Sequence, residues 1–539
     1  MHLSRKFEIL LKKKFKQNNE ITPEEKKEHQ TKTLLNFSGI EIPDEFIPLL
    51  SKGLEFKIST KKLPIIDMVC GIEEAAKSFS SPSMANGFRF ECKRIMEKGK
   101  NTKLTNITNE LCNGLNEWLK QNRLILIEND KGRATCIISQ QKVDELINQE
   151  LSNKERYVEL KGDNIEKAKT AINKEIANLR KENMLSIEQM KQLKQITPST
   201  PMARPSLKTH KNPLKVRLII NTQGSVFYKI AKFVSKELKY LTTSAKSYIK
   251  DTEQFVNKVK EINLDENEKL VSFDIADMYP SLPKSEVIHE AERRIREDTF
   301  KTNVNKEALV RLVKISVEFM TFKIGNKFYN QADGLFIGSP ASPCFAEIYI
   351  QRIEENSIYS MLHAPRIWLR KVDDTFTVTK HKTEDTLNEL NNIHSKVKFT
   401  AEEEKDDQIP FLDCLIMRKE DNTVKAKVYK KPTHTGQYTN YTSNQPLHVK
   451  LSTIKTLTRR AKTICTEEAD LKEELNYIQK TMQLNEFPKN IVTKTIKETL
   501  NKECNGRNQT DDDTNSIRLF LPYEKGISEQ IAREKQEGS

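Results

Sequence analysis

The chain has 539 residues, of which 90 are Lys or Arg and 76 are Asp or Glu, leaving a formal charge of +14 at neutral pH. That length allows about three or four domains and a core large enough to fold without disulfide staples. With 36% hydrophobic residues, 23 Phe and 13 Tyr, the chain is too apolar for a wholly disordered polymer and reads as globular and basic.

The eight cysteines lie at least 20 residues apart, so no CxxC pair seeds a zinc site or redox motif, and they read as reduced, intracellular thiols. No apolar run approaches the ~18 residues that a membrane helix needs. The basic start, from Arg5 to Lys16, has no apolar segment behind it, so neither secretion nor membrane insertion is expected. The cluster Lys12 to Lys16 reads as a solvated helix face, and the expected location is intracellular, in the nucleus.

From Met1 to about Gly114 the pattern is helical but broken by Pro43, Pro48, Pro64 and Pro82, which predicts short helices joined by turns. LILIE and ATCII then flank NDKG, a turn signal between two strands of a hairpin. Charged helical periodicity returns over 140–196, and Pro198, Pro201, Pro205 and Pro213 impose an extended segment after it. Beyond 215 strands and helices alternate, indicating a mixed α and β domain with no internal repeat. The tail from Asn501, with Asp511, Asp512 and Asp513, reads as a flexible linker.

KLVSFDIADMYPSLP places Val271, Phe273 and Ile275 on one strand face and Ser272 and Asp274 on the other, so Asp274 emerges at the strand's end. About a hundred residues later, WLRKVDDTFTV sets two β-rich runs around Asp373 and Asp374, a hairpin with both acids at its tip. Either acid alone reads as a turn former or a solvated hairpin residue. Together, in a basic chain, they suggest convergence on a pair of divalent cations, because crowded carboxylates repel unless cations sit among them. Phosphoryl transfer by two metals needs such oxygen ligands from separate elements.

Two basic surfaces accompany them. Arg204, Lys208, Lys211, Lys215 and Arg217 lie on the proline-rich segment with no acid between them. Lys425 to Lys462 holds nine Lys or Arg, no Asp or Glu, and the interleaved Tyr429, Tyr438 and Tyr441, a pattern suited to nucleic acid, although the tyrosines equally suit a core. His434 and His448 read as polar surface residues.

FDIADMY resembles motif A of reverse transcriptases, GLFIGSPASP motif B and VDD motif C, in the family's order. The resemblance is greatest to Penelope-like retroelement reverse transcriptases, which are related to telomerase. It extends over NFSGIEIPDEFIPLLSKGLEF, DKGRAT, PSLKTHK followed by VRLIIN, FTAEEE, PFLDCLI, VYKKPTHTGQY and LTRRAKTIC, from about residue 36 to 530. It implies an α+β right-hand polymerase with a helical N-terminal region (1–120), fingers with a basic strand (121–250), a palm on an antiparallel sheet (251–424), a basic helical thumb (425–500) and a linker tail (501–539).

The resemblance makes Asp274 and Asp373 the main metal ligands, Asp374 a weaker auxiliary and Ile275 a backbone carbonyl ligand, with two Mg²⁺ ions for which Mn²⁺ can substitute. Asp277 matches a motif A position of less direct role. Arg217 would contact the triphosphate, helped by Lys208 and Lys211. Tyr279 would exclude a ribose 2′-hydroxyl, and Gly338, Ser339 and Pro340, in a loop that runs on through Ser342 and Pro343, would let the templating base pair approach. Lys430, Lys431, Arg459, Arg460 and Lys462 would grip the duplex.

The implied reaction is RNA-directed DNA synthesis, in which a primer 3′-hydroxyl attacks a deoxynucleoside triphosphate. The partners are an RNA template, a DNA primer and target DNA, with no membrane; the oligomeric state is left open. The alternatives are a decayed element product that binds nucleic acid without catalysis and a polymerase preferring DNA templates. Members of this family usually continue past a linker like LPYEKGISEQIAR into a GIY-YIG endonuclease, so the chain is expected to be a fragment or a copy without its nuclease. It departs from the family at Leu207 and Leu218, each in place of a proline, and at Lys371, in place of an aromatic. A strand residue two before Asp373 is expected to share that acid's face, where an aromatic packs beneath the primer end.

Overall fold

The computed structural model describes residues 21–59, 62–99, 106–501 and 519–537; the basic start, Cys504 and the Asp511 to Asp513 run lie outside them. The chain divides into two compact units, one of Met1–Gln140, Thr433–Lys462 and Ala469–Ser539, the other of Gln141–Pro432 and Thr463–Glu468. Among the described residues, no helix is long and apolar enough to cross a membrane.

In the first unit, prolines break the helical pattern as expected: the helix Pro23–Thr33 starts at a Thr22/Glu25 capping box, and Ile65–Ala76, Pro82–Gly99 and Asn109–Gln121 follow. The N-terminal part is not purely helical. Leu34–Asn36 (β1) pairs parallel with Thr135–Ser139 (β3), which forms the expected hairpin with Leu124–Glu128 (β2). The NDKG turn is held tightly: a Cβ on Gly132, whose φ is +93°, would stand 2.2 Å from the Thr433 carbonyl. Gln437 Nε2 donates to the Ser51 carbonyl at 3.0 Å, so the segments around 51, 132 and 437 meet in one place.

The second unit carries three sheets. Tyr157–Leu160 (β4), Met202–Lys208 (β5), Lys215–Asn221 (β6), Lys269–Ile275 (β7), Thr321–Ile324 (β8), Lys327–Gln331 (β9), Ile367–Lys371 (β10), Asp374–Thr379 (β11), Phe399–Glu403 (β12), Gln408–Phe411 (β13), Cys414–Arg418 (β14) and Val424–Val428 (β15) are its strands. They pair in the orders β4-β9-β8-β5-β6, β10-β11-β7-β12 and β13-β14-β15. The proline-rich segment is thus a strand, β5, antiparallel to β6. The residues from 425, expected to open a helical thumb, begin as β15.

The four-stranded sheet is antiparallel throughout and positions the candidate site. Val271, Phe273 and Ile275 of β7 are buried in one core with the helices Lys284–Arg296, Lys306–Glu318 and Ser342–Asn356. On its opposite face, Phe376 of β11 packs against Phe255 and Phe411, with ring centroids 5.2 and 5.6 Å away. The expected α+β class, an antiparallel sheet packed by helices, is what the chain adopts, and the alternation read from the sequence of β7 holds.

Candidate active site

Asp274 is the exposed penultimate residue of β7, and its Cα register partner is Asp374, the first residue of β11. Residues directly opposite in an antiparallel pair point to the same face, so these two carboxylates project together beyond the Phe255, Phe376 and Phe411 cluster. Asp373 sits beside them in the two-residue turn Val372–Asp373, and its carbonyl accepts the Ile275 N–H at 3.3 Å. The hairpin with acids at its tip is therefore present, and it abuts β7 so that all three aspartates and Ile275 occupy adjacent backbone positions.

The expectation for Lys371 is corrected. β10 ends at Lys371, which pairs with Asp374 across the hairpin, and Val372 adopts φ +61°. The period of two stops at that left-handed residue, so Lys371 does not share a strand face with Asp373. It stands opposite Asp374 instead, with its ammonium 5.9 Å from the Tyr248 ring and donating to the Lys250 carbonyl.

The basic hairpin approaches from β5 and β6. Lys208 Nζ lies 3.0 Å from Asp277 Oδ1, and Asp277 holds a left-handed conformation (φ 45°, ψ 46°) just before the short helix Met278–Ser281. Burial would push the Asp277 carboxyl up, but the Lys208 hydrogen bond and the charges of Lys208, Arg156 and Arg217 outweigh it and hold the group below the usual range. Arg217, half-buried on β6, thus shares this electrostatic neighbourhood, whereas Lys211 is exposed in the loop between β5 and β6. Leu207 and Leu218 are both buried.

Tyr279 is partly buried and packs against the core. Burial, together with the negative charges of Asp373 and Glu347, pushes its phenol up to about 12, so at neutral pH it is a protonated hydroxyl. Its carbonyl accepts the Leu335 N–H at 2.8 Å, tying it to the glycine-rich loop. There a Cβ on Gly334 would come 2.6 Å from the Pro280 carbonyl oxygen, and one on Gly338 (φ +120°) 2.2 Å from that of Ile220. Gly338 is glycine at least because β6 lies against it: Ile220 N–H donates to the Ile337 carbonyl at 2.9 Å and Thr222 Oγ1 to that of Gly338 at 2.9 Å. Ser339 is buried in its own loop, its hydroxyl 3.4 Å from the Ala341 amide, while Pro340 is half-buried.

The basic stretch of 425–462 is divided. Lys430 and Lys431 lie in the second unit, Arg459, Arg460 and Lys462 in the first, on the helix Leu447–Ile464. Arg459 and Lys462 are exposed, and Lys462 Nζ reaches the Leu500 carbonyl at 3.3 Å. Two of the tyrosines are engaged in packing: Tyr441 lies at a tilt to Phe487, centroids 5.2 Å apart, beneath Lys450, and Tyr438 lies 6.2 Å from the His434 ring. His434 also meets the Tyr477 hydroxyl at 2.9 Å and is not a simple surface residue.

Three carboxylates and a carbonyl, without thiol or imidazole, are hard oxygen donors of the kind Mg²⁺ takes. Among the described residues no three His, Cys, Asp or Glu side chains are gathered as a ligand group, so the fit rests on donor chemistry and backbone adjacency. The residues that sequence reasoning missed lie beneath: Arg370 of β10, 1% exposed, is ion-paired to Glu347 and Glu354 of the helix Ser342–Asn356. Their signal was charge at core parity, an arginine two residues from Trp368 in a strand and two glutamates seven apart among apolar helix residues.

A family model described as an animal helix-turn-helix domain matches residues 437–497, which span the helices Leu447–Ile464 and Glu468–Leu484 and most of Lys489–Asn501. No curated protein matches the chain in sequence. Solved structures to which it is similar include apo telomerase from Candida tropicalis, at 12% identity over 82% of this chain and 87% of that one, with a TM-score of 0.41. Telomerase from Candida albicans in complex with a TWJ fragment of telomeric RNA is similar at 10% identity over 77% and 76% of the two chains, TM-score 0.41. The RNA-dependent RNA polymerase of a human picobirnavirus is similar at 9% identity over 89% and 99%, TM-score 0.41.

Proposed function

We propose that the chain is a template-directed nucleic acid polymerase, and more narrowly an RNA-directed DNA polymerase of a Penelope-like retroelement. The observation that carries the reading is the register of β7 and β11, which sets Asp274 opposite Asp374 with Asp373 in the adjoining turn. Like charges directly opposite weaken a sheet, and divalent cations between them would offset that cost. Asp274 and Asp373 would hold the cations, with Asp374 and the Ile275 carbonyl completing the set. Bound divalent ions supply activation of the attacking hydroxyl and neutralisation of the leaving phosphate.

The remaining residues position the substrate. Arg217, Lys208 and Lys211 present cations to a triphosphate from the hairpin of β5 and β6, and Lys208 exchanges its Asp277 partner for phosphate when nucleotide enters. Tyr279 limits room at the sugar's 2′ position, and the backbone of Gly338 to Pro340 borders the nascent base pair. The exposed cations Arg459 and Lys462, with Lys430, Lys431 and Arg460, contact the duplex backbone. The preference for an RNA template and the retroelement origin rest on the sequence motifs. Primer extension on matched RNA and DNA templates, with and without Mg²⁺, tests the reading: metal-dependent extension favouring RNA is expected. No extension on either template would leave the non-catalytic alternative, and preference for DNA would replace the narrower one.

A further inference from the structure

Arg370 has five N–H donors, and each has an acceptor. Nε reaches Glu354 Oε1 at 2.6 Å; Nη2 reaches Glu347 Oε1 at 2.8 Å and Glu354 Oε2 at 3.1 Å. Nη1 reaches Glu347 Oε2 at 2.9 Å and, with its second proton, the Val372 carbonyl at 3.0 Å. Four donors therefore go to two carboxylates and the fifth leaves the cluster for the turn that bears Asp373. The Glu354 carboxylate is itself held: Trp368 Nε1 and Ser247 Oγ donate to it at 2.8 and 2.7 Å.

Val372 is the unusual residue of that turn. Its φ of +61° is one that β-branched side chains rarely adopt, and such outliers persist only where the surroundings over-determine them. Two successive carbonyls are pinned here, that of Val372 by Arg370 and that of Asp373 by the Ile275 N–H. The pinning from one side comes from β7, which carries Asp274. From the other it comes through Arg370 from the helix that follows the glycine-rich loop.

We propose that Arg370 is a positioning residue for the metal site: clamped by Glu347 and Glu354, it fixes the Val372 carbonyl and thereby the place of the Asp373 carboxylate. It touches neither substrate nor metal and acts through the turn alone. The inference rests on the polymerase reading only in taking Asp373 as a ligand. A guanidinium suits the task better than an ammonium because its planar fork serves two carboxylates and a carbonyl at once.

Removing Arg370 alone would leave two buried carboxylates uncompensated, so the informative variant replaces the whole cluster with neutral groups, Arg370→Met with Glu347→Gln and Glu354→Gln. The second variant is Arg370→Lys, which keeps the charge but offers three donors in place of five. Mn²⁺ binding to the full chain without substrates is followed by electron paramagnetic resonance, with Asp373→Ala as the reference for loss of the site and thermal melting as the check on folding. Both Arg370 variants, where folded, are expected to weaken Mn²⁺ binding about tenfold and to raise the Mg²⁺ needed for half-maximal extension alike, while the nucleotide KM stays within about twofold. A folded variant that binds Mn²⁺ as the unaltered chain does would overturn the positioning role and leave the polymerase reading standing. If Asp373→Ala also binds Mn²⁺ as the unaltered chain does, the carboxylate reading fails and the inference with it.

Discussion

On the face of β10 and β11 turned to the helix Ser342–Asn356, Arg370 meets Glu347 and Glu354 with all of its donors satisfied. On the opposite face of the same sheet, Asp274 of β7 and Asp374 of β11 stand in register with like charge. One face matches opposite charges so closely that burial is tolerated; the other sets equal charges together at the start of β11. Opposite charges brought together serve the fold, whereas like charges brought together disfavour it and suit a site for an external cation.

The widest separation between the two faces is in activity. Asp274→Ala and Asp373→Ala are each expected to lower primer extension on the order of 10³-fold or more, about 4 kcal/mol of transition-state stabilisation, with folding stability unchanged or slightly raised. Single-turnover extension beside urea denaturation checks both halves. If Asp274→Ala unfolds the protein and leaves the surviving fraction active, the aspartates belong to the fold and the contrast collapses.

Arg370→Met should show the reverse order, a stability loss of roughly 3–5 kcal/mol from stranding two buried carboxylates. Urea denaturation of this variant against the neutral triple variant sharpens the point, since the triple should recover most of the loss. Equal destabilisation in both would mean that packing around Arg370, and not its charge, holds the sheet to the helix.

A second cation tests what complete pairing contributes. Lys284 begins the helix Lys284–Arg296, and its Nζ donates to the Gln331 carbonyl at 2.7 Å. Burial pushes its ammonium down to about 8, with Asp333 and Glu318 only partly offsetting the effect, whereas the two glutamates leave Arg370 raised despite its burial. The unfolded lysine titrates near 10.4, so between about pH 8 and 10.4 the unfolded chain binds more protons and stability rises with pH, by about 1–3 kcal/mol in all. Below pH 8 both states are protonated and the penalty is fully present. Lys284→Met should flatten that rise relative to the unaltered chain in denaturation profiles from pH 7 to 10.5; identical profiles would show that water or a carboxylate already relieves the buried charge.

Much of this contrast can be read from the sequence and part cannot, for separable reasons. The alternation in KLVSFDI gives the β7 faces because a half-buried strand writes its period into composition. WLRKVDDTFTV gives the hairpin because two β-rich runs around a short turn have few other solutions. The Lys208–Asp277 pair spans 69 residues of sequence and has no local signature. Gly338 reads as room for a base pair, yet in the fold it admits the backbone of Ile220, a neighbour that only the tertiary structure brings close. The parity of Lys371 is misread because the extrapolation runs through Val372, whose left-handed backbone ends the strand one residue early.

Lys371 carries the smallest expected effect and the finest test of the comparison, since it is a cation in register with Asp374. Opposite-charge cross-strand pairs are worth ~0.2–1 kcal/mol, and an exposed ammonium near a ring ~0.5–1 kcal/mol. Its ammonium donates to the Lys250 carbonyl and lies 5.9 Å from the Tyr248 ring, contacts that anchor it, so it is expected neither to fill the cation site nor to block it. Lys371→Met is therefore expected to cost about 1 kcal/mol of stability and to change extension less than about threefold, with Mg²⁺ dependence preserved. A hundredfold loss of extension at unchanged stability would place the lysine on the substrate. A marked gain in metal affinity would show instead that its charge repels the ions, and that this face is partly neutralised from within the chain after all.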